Sequence, residues 1–178
     1  WMGGEKVSKA IACTYSEPVV YYEYMHDIAV EGKKQGIGCV MISNGYIHPD
    51  PLKALCEVLA AVKIDLKAFT EDFYKQQCSG QLKPVLDTLK LLKKQGMHFE
   101  IVNLIIPTLN DDLKTARAMA KWIAGELGTD VPVHFSAFHP MYRLKNLPRT
   151  PTRTLENIRD IFLAEGHEYV YLGNVRRA

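Results

Sequence analysis

No two cysteines lie close together in this chain, no apolar run is long, and neither sign of charge is in large excess. The four cysteines stand at positions 13, 39, 56 and 78, too far apart in sequence to form the paired ligands of a zinc knuckle. The longest apolar stretches, such as the one around residues 102–107, are too short to cross a bilayer. Because the formal net charge is only +2, we expect neither nucleic acid nor a membrane as a partner. We also expect no metal ligands.

We also expect no secretory signal, since the residues after Trp1 include neither an apolar core segment nor a cleavage site. Cys13, Cys39 and Cys56 lie in apolar surroundings, as expected for buried free thiols in a reducing compartment. We therefore expect a cytoplasmic protein. The length and the 47% share of hydrophobic residues are typical of one globular domain, which we predict over residues 1–178.

Short apolar runs alternate along the chain with longer amphipathic segments. The runs predict six strands, at residues 10–15, 37–43, 62–67, 98–106, 131–137 and 169–172. The segments between them predict five helices, at residues 18–34, 50–60, 81–95, 111–127 and 151–165. Strands that alternate with helices pair in parallel through right-handed crossovers, so the pattern predicts an α/β fold.

The alternation alone does not separate a barrel from a doubly wound open sheet. A complete eight-stranded barrel takes about 250 residues, so this chain is long enough for only part of one. In both architectures the ligand site lies at the carboxyl ends of the strands. Each predicted strand ends there in polar or ionisable residues.

Asp65 and Lys67 alternate with apolar residues in the third predicted strand, so both side chains should lie on one inner face. They either bind a ligand there or form an ion pair with each other. Glu17, after the first strand, is either a ligand-binding carboxylate or a first-turn acid favoured by the helix dipole. Asn110-Asp111 is typical of a helix N-cap. His134, taken alone, is typical of a hydrogen-bonded core histidine.

Six motifs that follow one another over residues 11–175 resemble those of a known family. They are Ile11-Ala-Cys-Thr-Tyr-Ser-Glu-Pro18, Ser43-Asn-Gly-Tyr46, Val62-Lys-Ile-Asp-Leu-Lys67, Ile106-Pro-Thr-Leu-Asn-Asp111, His134-Phe-Ser-Ala-Phe-His-Pro140 and Tyr169-Val-Tyr-Leu-Gly-Asn-Val175. In this order they resemble the radical S-adenosylmethionine (SAM) enzyme of the AmmeMemoRadiSam system, a relative of pyruvate formate-lyase-activating enzyme. The resemblance implies a partial parallel (β/α) barrel of the TIM-like radical SAM type, with about six strands. Its open mouth would hold SAM against a [4Fe–4S] cluster.

The resemblance also implies which residues bind SAM. These are Tyr15, Ser16, Glu17, Asn44, Asp65, Lys67, Ser136 and His139. Tyr15-Ser16-Glu17 stands in the place of the family's Gly-Gly-Glu segment, so Glu17 would bind the SAM ammonium. Asp65 and Lys67 match the Asp-Leu-Lys motif, in which the lysine meets the SAM carboxylate. Asn44 and His139 match positions around the nucleoside and sulfonium groups, and Asn103 is a further candidate.

One family motif does not occur, the Cys-x₃-Cys-x₂-Cys that holds the cluster on the loop after the first barrel strand. Its place would be upstream of Ala10. We expect the chain to be a truncated piece, a proteolytic product or the product of an incomplete gene model, and not a natural cluster-free descendant. Because SAM homolysis needs an electron from the cluster, we predict that the chain alone is inactive.

Three functions therefore stay open. The chain is part of a radical SAM enzyme that forms a 5′-deoxyadenosyl radical to attack an unknown protein or small molecule, or it is a non-catalytic SAM- or protein-binding barrel. Otherwise it is a barrel aldolase that uses Lys67 as a Schiff-base nucleophile. A barrel without its first strand exposes the edge of residues 10–15, so we expect self-association.

Overall fold

Six parallel strands pair in the order in which they follow one another along the chain. The computed structural model describes residues 9–175. The strands are β1 (Ala10–Cys13), β2 (Gly38–Ser43), β3 (Ala61–Asp65), β4 (Phe99–Ile105), β5 (Val133–Ala137) and β6 (Val170–Gly173). This order rules out the doubly wound alternative, in which the strand order reverses within the sheet. It confirms the prediction of a partial, open parallel barrel.

Six α-helices connect the strands. They are α1 (Tyr22–Lys34), α2 (Pro49–Cys56), α3 (Glu71–Gln77), α4 (Leu82–Lys94), α5 (Leu113–Glu126) and α6 (Thr152–Ala164), with 3-10 turns at Pro18–Tyr21 and Tyr142–Leu144. Five of the six were predicted from periodicity, and α3 was not. Its seven residues make barely two turns, too few for a periodic pattern to show. The local signal that could have found it is Thr70, whose hydroxyl accepts the Phe73 N–H, followed by the acids Glu71 and Asp72.

Several predicted boundaries are wrong. The first strand ends at Cys13 and the second helix at Cys56, not at residues 15 and 60. The cap of α5 is Asp112, whose carboxylate accepts the N–H groups of Lys114 and Thr115, and not the Asn110-Asp111 pair. The third strand ends at Asp65, two residues before the predicted end. Asn110 instead bonds to the backbone of Lys67, Leu104 and Ile106, and Asp111 accepts the Thr108 N–H, which leaves the capping position to Asp112.

The two faces of the sheet differ in burial. Along β2 to β5 every second side chain is buried, and the register pairs buried positions with buried positions, as with Met41 and Val62 or Ile101 and Val133. Successive right-handed crossovers place all helices on this side, where strand and helix side chains share one core. We call the opposite, more exposed side the inner face. Its side chains include those of Lys63, Asp65, Glu100, Val102, His134 and Tyr171.

Within the described sheet, β1 and β6 are the edge strands. This confirms that residues 10–13 lie at an edge, while self-association stays a prediction. No helix in residues 9–175 is both long and apolar enough to cross a membrane. The expectations for the start of the chain after Trp1, and for the outer ends of the domain, fall on residues 1–8 and 176–178, which lie outside the described part.

Candidate functional site

A cavity of about 460 Å³ opens at the carboxyl ends of β1, β2 and β3. Its lining includes six of the eight residues predicted to bind SAM, namely Tyr15, Ser16, Glu17, Asn44, Asp65 and Lys67. Tyr15 stands at the rim, with 91% of its surface exposed. The loops after three strands meet here because parallel strands all end at the same edge of the sheet.

Glu17 joins the end of β1 to the end of β2. One carboxylate oxygen accepts the Ser43 hydroxyl at 2.7 Å and the Val19 N–H at 3.3 Å, and the other accepts the Asn44 N–H at 2.8 Å. The Val19 bond makes Glu17 the N-cap of the turn Pro18–Tyr21, one position before the first turn in which the sequence alternative placed it. A carboxylate has about four lone-pair sites, which leaves one available in the cavity.

Ser43 and Asn44 hold the loop that receives Glu17. Ser43 is 2% exposed, and its hydroxyl also accepts the Gly45 N–H at 3.0 Å. The Asn44 amide oxygen accepts the Tyr46 N–H at 2.8 Å. Gly45 adopts a φ of 76°, where a side chain would press on Ile64.

Asp65 lies between two lysines on the inner face. Its carboxylate is 2.7 Å from the Lys67 Nζ and 3.9 Å from the Lys63 Nζ. The ion pair considered from the sequence is therefore present, but neither partner is fully buried, since the side chains of Asp65 and Lys67 are 29% and 39% exposed. An ammonium has three donors, so Lys67 keeps donors for a ligand while it stays bonded to Asp65.

The backbone of Lys67 is held by two side chains that the sequence did not indicate. Its N–H donates to the Tyr74 hydroxyl at 3.1 Å, and its carbonyl accepts the Asn110 amide at 2.8 Å. Tyr74 is buried, and that burial raises the pKa of its hydroxyl. No local pattern signals either contact, because both depend on how α3 and the loop after β4 pack against the end of β3.

The other two predicted residues and Asn103 lie elsewhere. Ser136 is on the inner face in β5, paired with Leu104 and Gly173, and His139 is exposed in the loop beyond that strand. Neither lines the cavity. Asn103 is 1% exposed on the helix side, where its amide donates to the Leu66 carbonyl.

A second polar group occupies the inner face over β4 to β6. The His134 ring nitrogen Nε2 lies 2.7 Å from the Glu100 carboxylate, and the ring stacks on Tyr171 with centroids 4.9 Å apart. His134 is thus a hydrogen-bonded histidine, as expected, but a half-exposed one. Sequence reasoning missed this group, because the partners stand on different strands and their contact depends on the register.

The cysteines do not form a cluster site. Within residues 9–175 no group of three or more histidine, cysteine, aspartate or glutamate side chains is placed to hold a metal ion. Cys13 and Cys39 are buried on the helix side with their sulfurs 3.7 Å apart, and burial raises the pKa of Cys39 to about 12. Cys56 is partly buried and Cys78 is exposed. The residues present therefore do not fit a [4Fe–4S] cluster.

A further cavity of about 560 Å³ adjoins the first and shares Glu17, Asn44 and Lys67 with it. Its other walls come from residues after β1 and β2, such as Val20 and Tyr46, and from α3, the loop after it and α4, which contribute Tyr74, Cys78 and Val85. The Glu17 carboxylate and the Lys67 ammonium therefore lie between the first cavity, whose lining is mainly polar, and the second, whose lining is more apolar.

Sequence comparison finds one curated relative. No family profile matches the chain, but a protein of Methanocaldococcus jannaschii described as uncharacterized protein MJ0808 is 47% identical over 165 residues. The match covers 93% of this chain and 49% of the relative. The chain therefore spans about half the length of the curated relative that it matches.

Structure comparison finds a common architecture. A domain of pyruvate-formate lyase-activating enzyme from Bacteroides vulgatus matches with a TM-score of 0.81 at 16% identity, over 92% of this chain and 98% of that one. A radical SAM methyltransferase from Sphaerobacter thermophilus matches with a TM-score of 0.73 at 15% identity, over 96% and 52%. Native anSMEcpe with bound AdoMet and a Kp18Cys peptide matches with a TM-score of 0.65 at 19% identity, over 90% and 49%.

The strand order and the similarity to these solved structures lead to the same fold. The chain has the fold of the domain found in radical SAM enzymes, an open, six-stranded parallel (β/α) barrel.

Proposed function

We propose that this chain is the SAM-binding barrel of a radical SAM enzyme, related to the one of the AmmeMemoRadiSam system. The observation that carries the proposal is the cavity at the ends of β1 to β3, which brings together six residues chosen from motifs far apart in the sequence. A volume of about 460 Å³ lies within the range of small-molecule sites.

The charges of Glu17 and Lys67 are complementary to the zwitterionic amino-acid end of SAM. Glu17 keeps a free acceptor site for the SAM ammonium after its three protein hydrogen bonds. Lys67 keeps donors for the SAM carboxylate after its bond to Asp65. Such charge-assisted bonds are stronger than neutral ones in a partly dry cleft. The amino-acid end of SAM would therefore lie between β1 and β3.

Two SAM analogues test these contacts. Decarboxylated SAM lacks only the carboxylate, whereas 5′-methylthioadenosine lacks the whole amino-acid end and the sulfonium charge. By calorimetry we expect SAM to bind the chain about 10-fold to 100-fold more tightly than decarboxylated SAM, given the strength of a hydrogen bond to a charged group. Lys67→Met should abolish that preference. Glu17→Gln should lower the preference for decarboxylated SAM over methylthioadenosine, and the preference that stays comes from the sulfonium and the aminopropyl chain.

Matched variants separate these effects from a change in overall charge. Lys83→Met removes an exposed lysine on α4, and Glu100→Gln removes a carboxylate from the other part of the inner face. Both should leave the two preferences unchanged. A chain that folds but does not bind SAM at millimolar concentration would refute the proposal.

We further propose that reductive cleavage of SAM belongs to a longer protein that supplies the cluster cysteines. The cluster would provide the electron, and the residues described here would bind and orient SAM. On its own the chain should release no 5′-deoxyadenosine from SAM under reducing, anaerobic conditions. Detection of that product from this polypeptide would contradict the proposal.

Extension of the coding sequence upstream of Ala10 tests the same point from the other side. After anaerobic reconstitution with iron and sulfide, a broad iron–sulfur absorption band that SAM perturbs, and that the loss of the added cysteines weakens, would support the proposal. Failure to form a cluster would favour the alternative of a non-catalytic SAM-binding barrel.

The aldolase alternative is weaker. Lys67 is ion-paired with Asp65 at 2.7 Å, and an ammonium held in this way has no lone pair with which to attack a carbonyl. Borohydride trapping with pyruvate should therefore give no adduct at Lys67.

A further inference from the structure

Lys63, Asp65 and Lys67 are the charged residues that β3 and the segment after it contribute to the cavity, and of these three only Lys67 has its backbone beyond the strand. The ladder of β3 ends at Asp65, paired with Val102, so Lys67 has no strand partner for its N–H or its carbonyl. Buried backbone groups need partners. Here side chains from two other segments supply them, Tyr74 for the N–H and Asn110 for the carbonyl.

Tyr74 reaches this position because α3 exists. The helix is capped by Thr70 and turns Phe73 and Tyr74 into the core, where Tyr74 is 3% exposed. Its hydroxyl accepts the Lys67 N–H at 3.1 Å. Burial raises the pKa of that hydroxyl, so it stays neutral. A buried, neutral acceptor on a rigid ring gives the lysine backbone little freedom to move.

Asn110 holds the other side. Its amide nitrogen donates to the carbonyls of Lys67 and Leu104, at 2.8 and 2.9 Å, and its amide oxygen accepts the Ile106 N–H at 2.6 Å. One side chain thus ties the end of β3 to the end of β4. The bond to Lys67 spans 43 positions in sequence, so it exists only in the folded barrel.

We propose that Tyr74 and Asn110 are positioning residues, and that by fixing the Lys67 backbone from both sides they set the selectivity of the site for a ligand carboxylate. This inference rests on the proposed function, in which Lys67 binds the carboxylate of SAM. Asp65 holds the Nζ of Lys67, and Tyr74 and Asn110 hold the Lys67 backbone. A contact to a charged group depends on placement to within about 0.5 Å, which a loose strand end would not give.

The test is the ratio of the dissociation constants of decarboxylated SAM and SAM. Tyr74→Phe keeps the ring and removes the acceptor, and Asn110→Ala removes both donors. We expect each variant to lower the ratio by about 3-fold to 10-fold, through weaker binding of SAM, while the affinity for decarboxylated SAM stays within about 2-fold. If Asn110→Ala fails to fold, Tyr74→Phe decides alone.

Thr150→Val is the matched control. The Thr150 hydroxyl donates to the Ile105 carbonyl and accepts the Phe138 N–H, so it ties β4 to the residue after β5 in the same manner but does not touch Lys67. Thr150 is also buried, at 3% exposed. This variant should lose thermal stability and keep the ratio of the wild-type chain.

The outcomes are distinct. If Lys67→Met leaves the ratio unchanged, the lysine does not bind the carboxylate, and both the proposed function at this residue and the inference are wrong. If Lys67→Met abolishes the preference but Tyr74→Phe keeps it, or weakens both ligands equally, only the inference is overturned. A lowered ratio in Tyr74→Phe with an unchanged ratio in Thr150→Val supports it.

Discussion

The two halves of the inner face carry similar residue types and use them differently. Over β1 to β3, Glu17, Asp65 and Lys67 converge on a cavity at the carboxyl ends of the strands. Over β4 to β6, Glu100 and His134 bond to each other. The cavity that Glu100 lines lies instead beside the loops that precede these strands.

This difference between the two halves shows that a count of charged residues does not identify the candidate site. Both halves have a carboxylate with a cationic or titratable partner. In the first half, however, the carboxylate of Glu17 takes its hydrogen bonds from a loop that it helps to hold, and it stands at a cavity mouth. In the second half, Glu100 and His134 bond to each other across neighbouring strands, and neither lines the cavity at the carboxyl ends. The position relative to strand ends decides which group can serve a ligand.

The largest contrast should come from deleting the carboxylate in each half. Glu17→Ala leaves the buried Ser43 hydroxyl and the Asn44 N–H without their acceptor, so we expect a loss of about 2 kcal/mol in the free energy of unfolding. We also expect SAM affinity to fall about 100-fold. Glu100→Ala removes one half-exposed pair and should cost about 0.5 kcal/mol, with SAM affinity unchanged.

Urea unfolding and calorimetry on the two variants measure both quantities. Equal losses of stability would break the comparison, because they would mean that the Glu17 bonds are as exchangeable with water as a surface pair. A loss of SAM affinity in Glu100→Ala would show that the ligand extends across both halves.

A smaller effect should appear beneath the first half, where β1 and β2 place Cys13 and Cys39 together on the helix side. Burial raises the pKa of the Cys39 thiol from 9.0 to about 12. The folded state thus holds its proton over a range in which the unfolded state has lost it. The stabilising contribution is fully present below about pH 9 and is lost as the pH rises toward about 12.

Cys39→Ala should therefore show a shallower alkaline decline in the free energy of unfolding than the parent chain. One thiol contributes at most about 1.4 kcal/mol per pH unit. Urea unfolding in a reducing buffer at about pH 8 and about pH 10.5 gives the two slopes. Parallel slopes would mean that the thiol ionises as readily in the folded chain as in the unfolded one.

Much of the fold could be predicted because its signals are local. Short apolar runs predicted all six strands, and amphipathic segments with helical periodicity predicted five of the six α-helices. The glycines after four helices adopt positive φ angles, as at Gly36 and Gly96, which matches their role as helix ends. The order of the strands was not predictable from periodicity, and only the motifs indicated a barrel.

The meeting of six candidate residues at one cavity was predictable from the sequence, but Ser136 and His139 lie outside it and the hydrogen bonds of the cavity were not predictable. Strand-end positions and motif order indicated Glu17 and Lys67, because such positions are local. The partners Ser43, Tyr74 and Asn110 are set by packing between segments that periodicity does not relate. The pairing of Glu100 with His134 likewise needs the register of two strands. Sequence reasoning therefore finds polar groups at strand ends more readily than the groups that hold them in place.

The strand order has a consequence for how the chain acquires its structure. In the described sheet each strand from β2 to β6 pairs with the one synthesised just before it, so none of these pairings must wait for a distant part of the polypeptide. Each new β/α unit can dock as it leaves the ribosome, from the amino end to the carboxyl end. The cavity is then outlined early, by the first three strands, but Lys67 is held on both sides only after the loop that carries Asn110 has emerged.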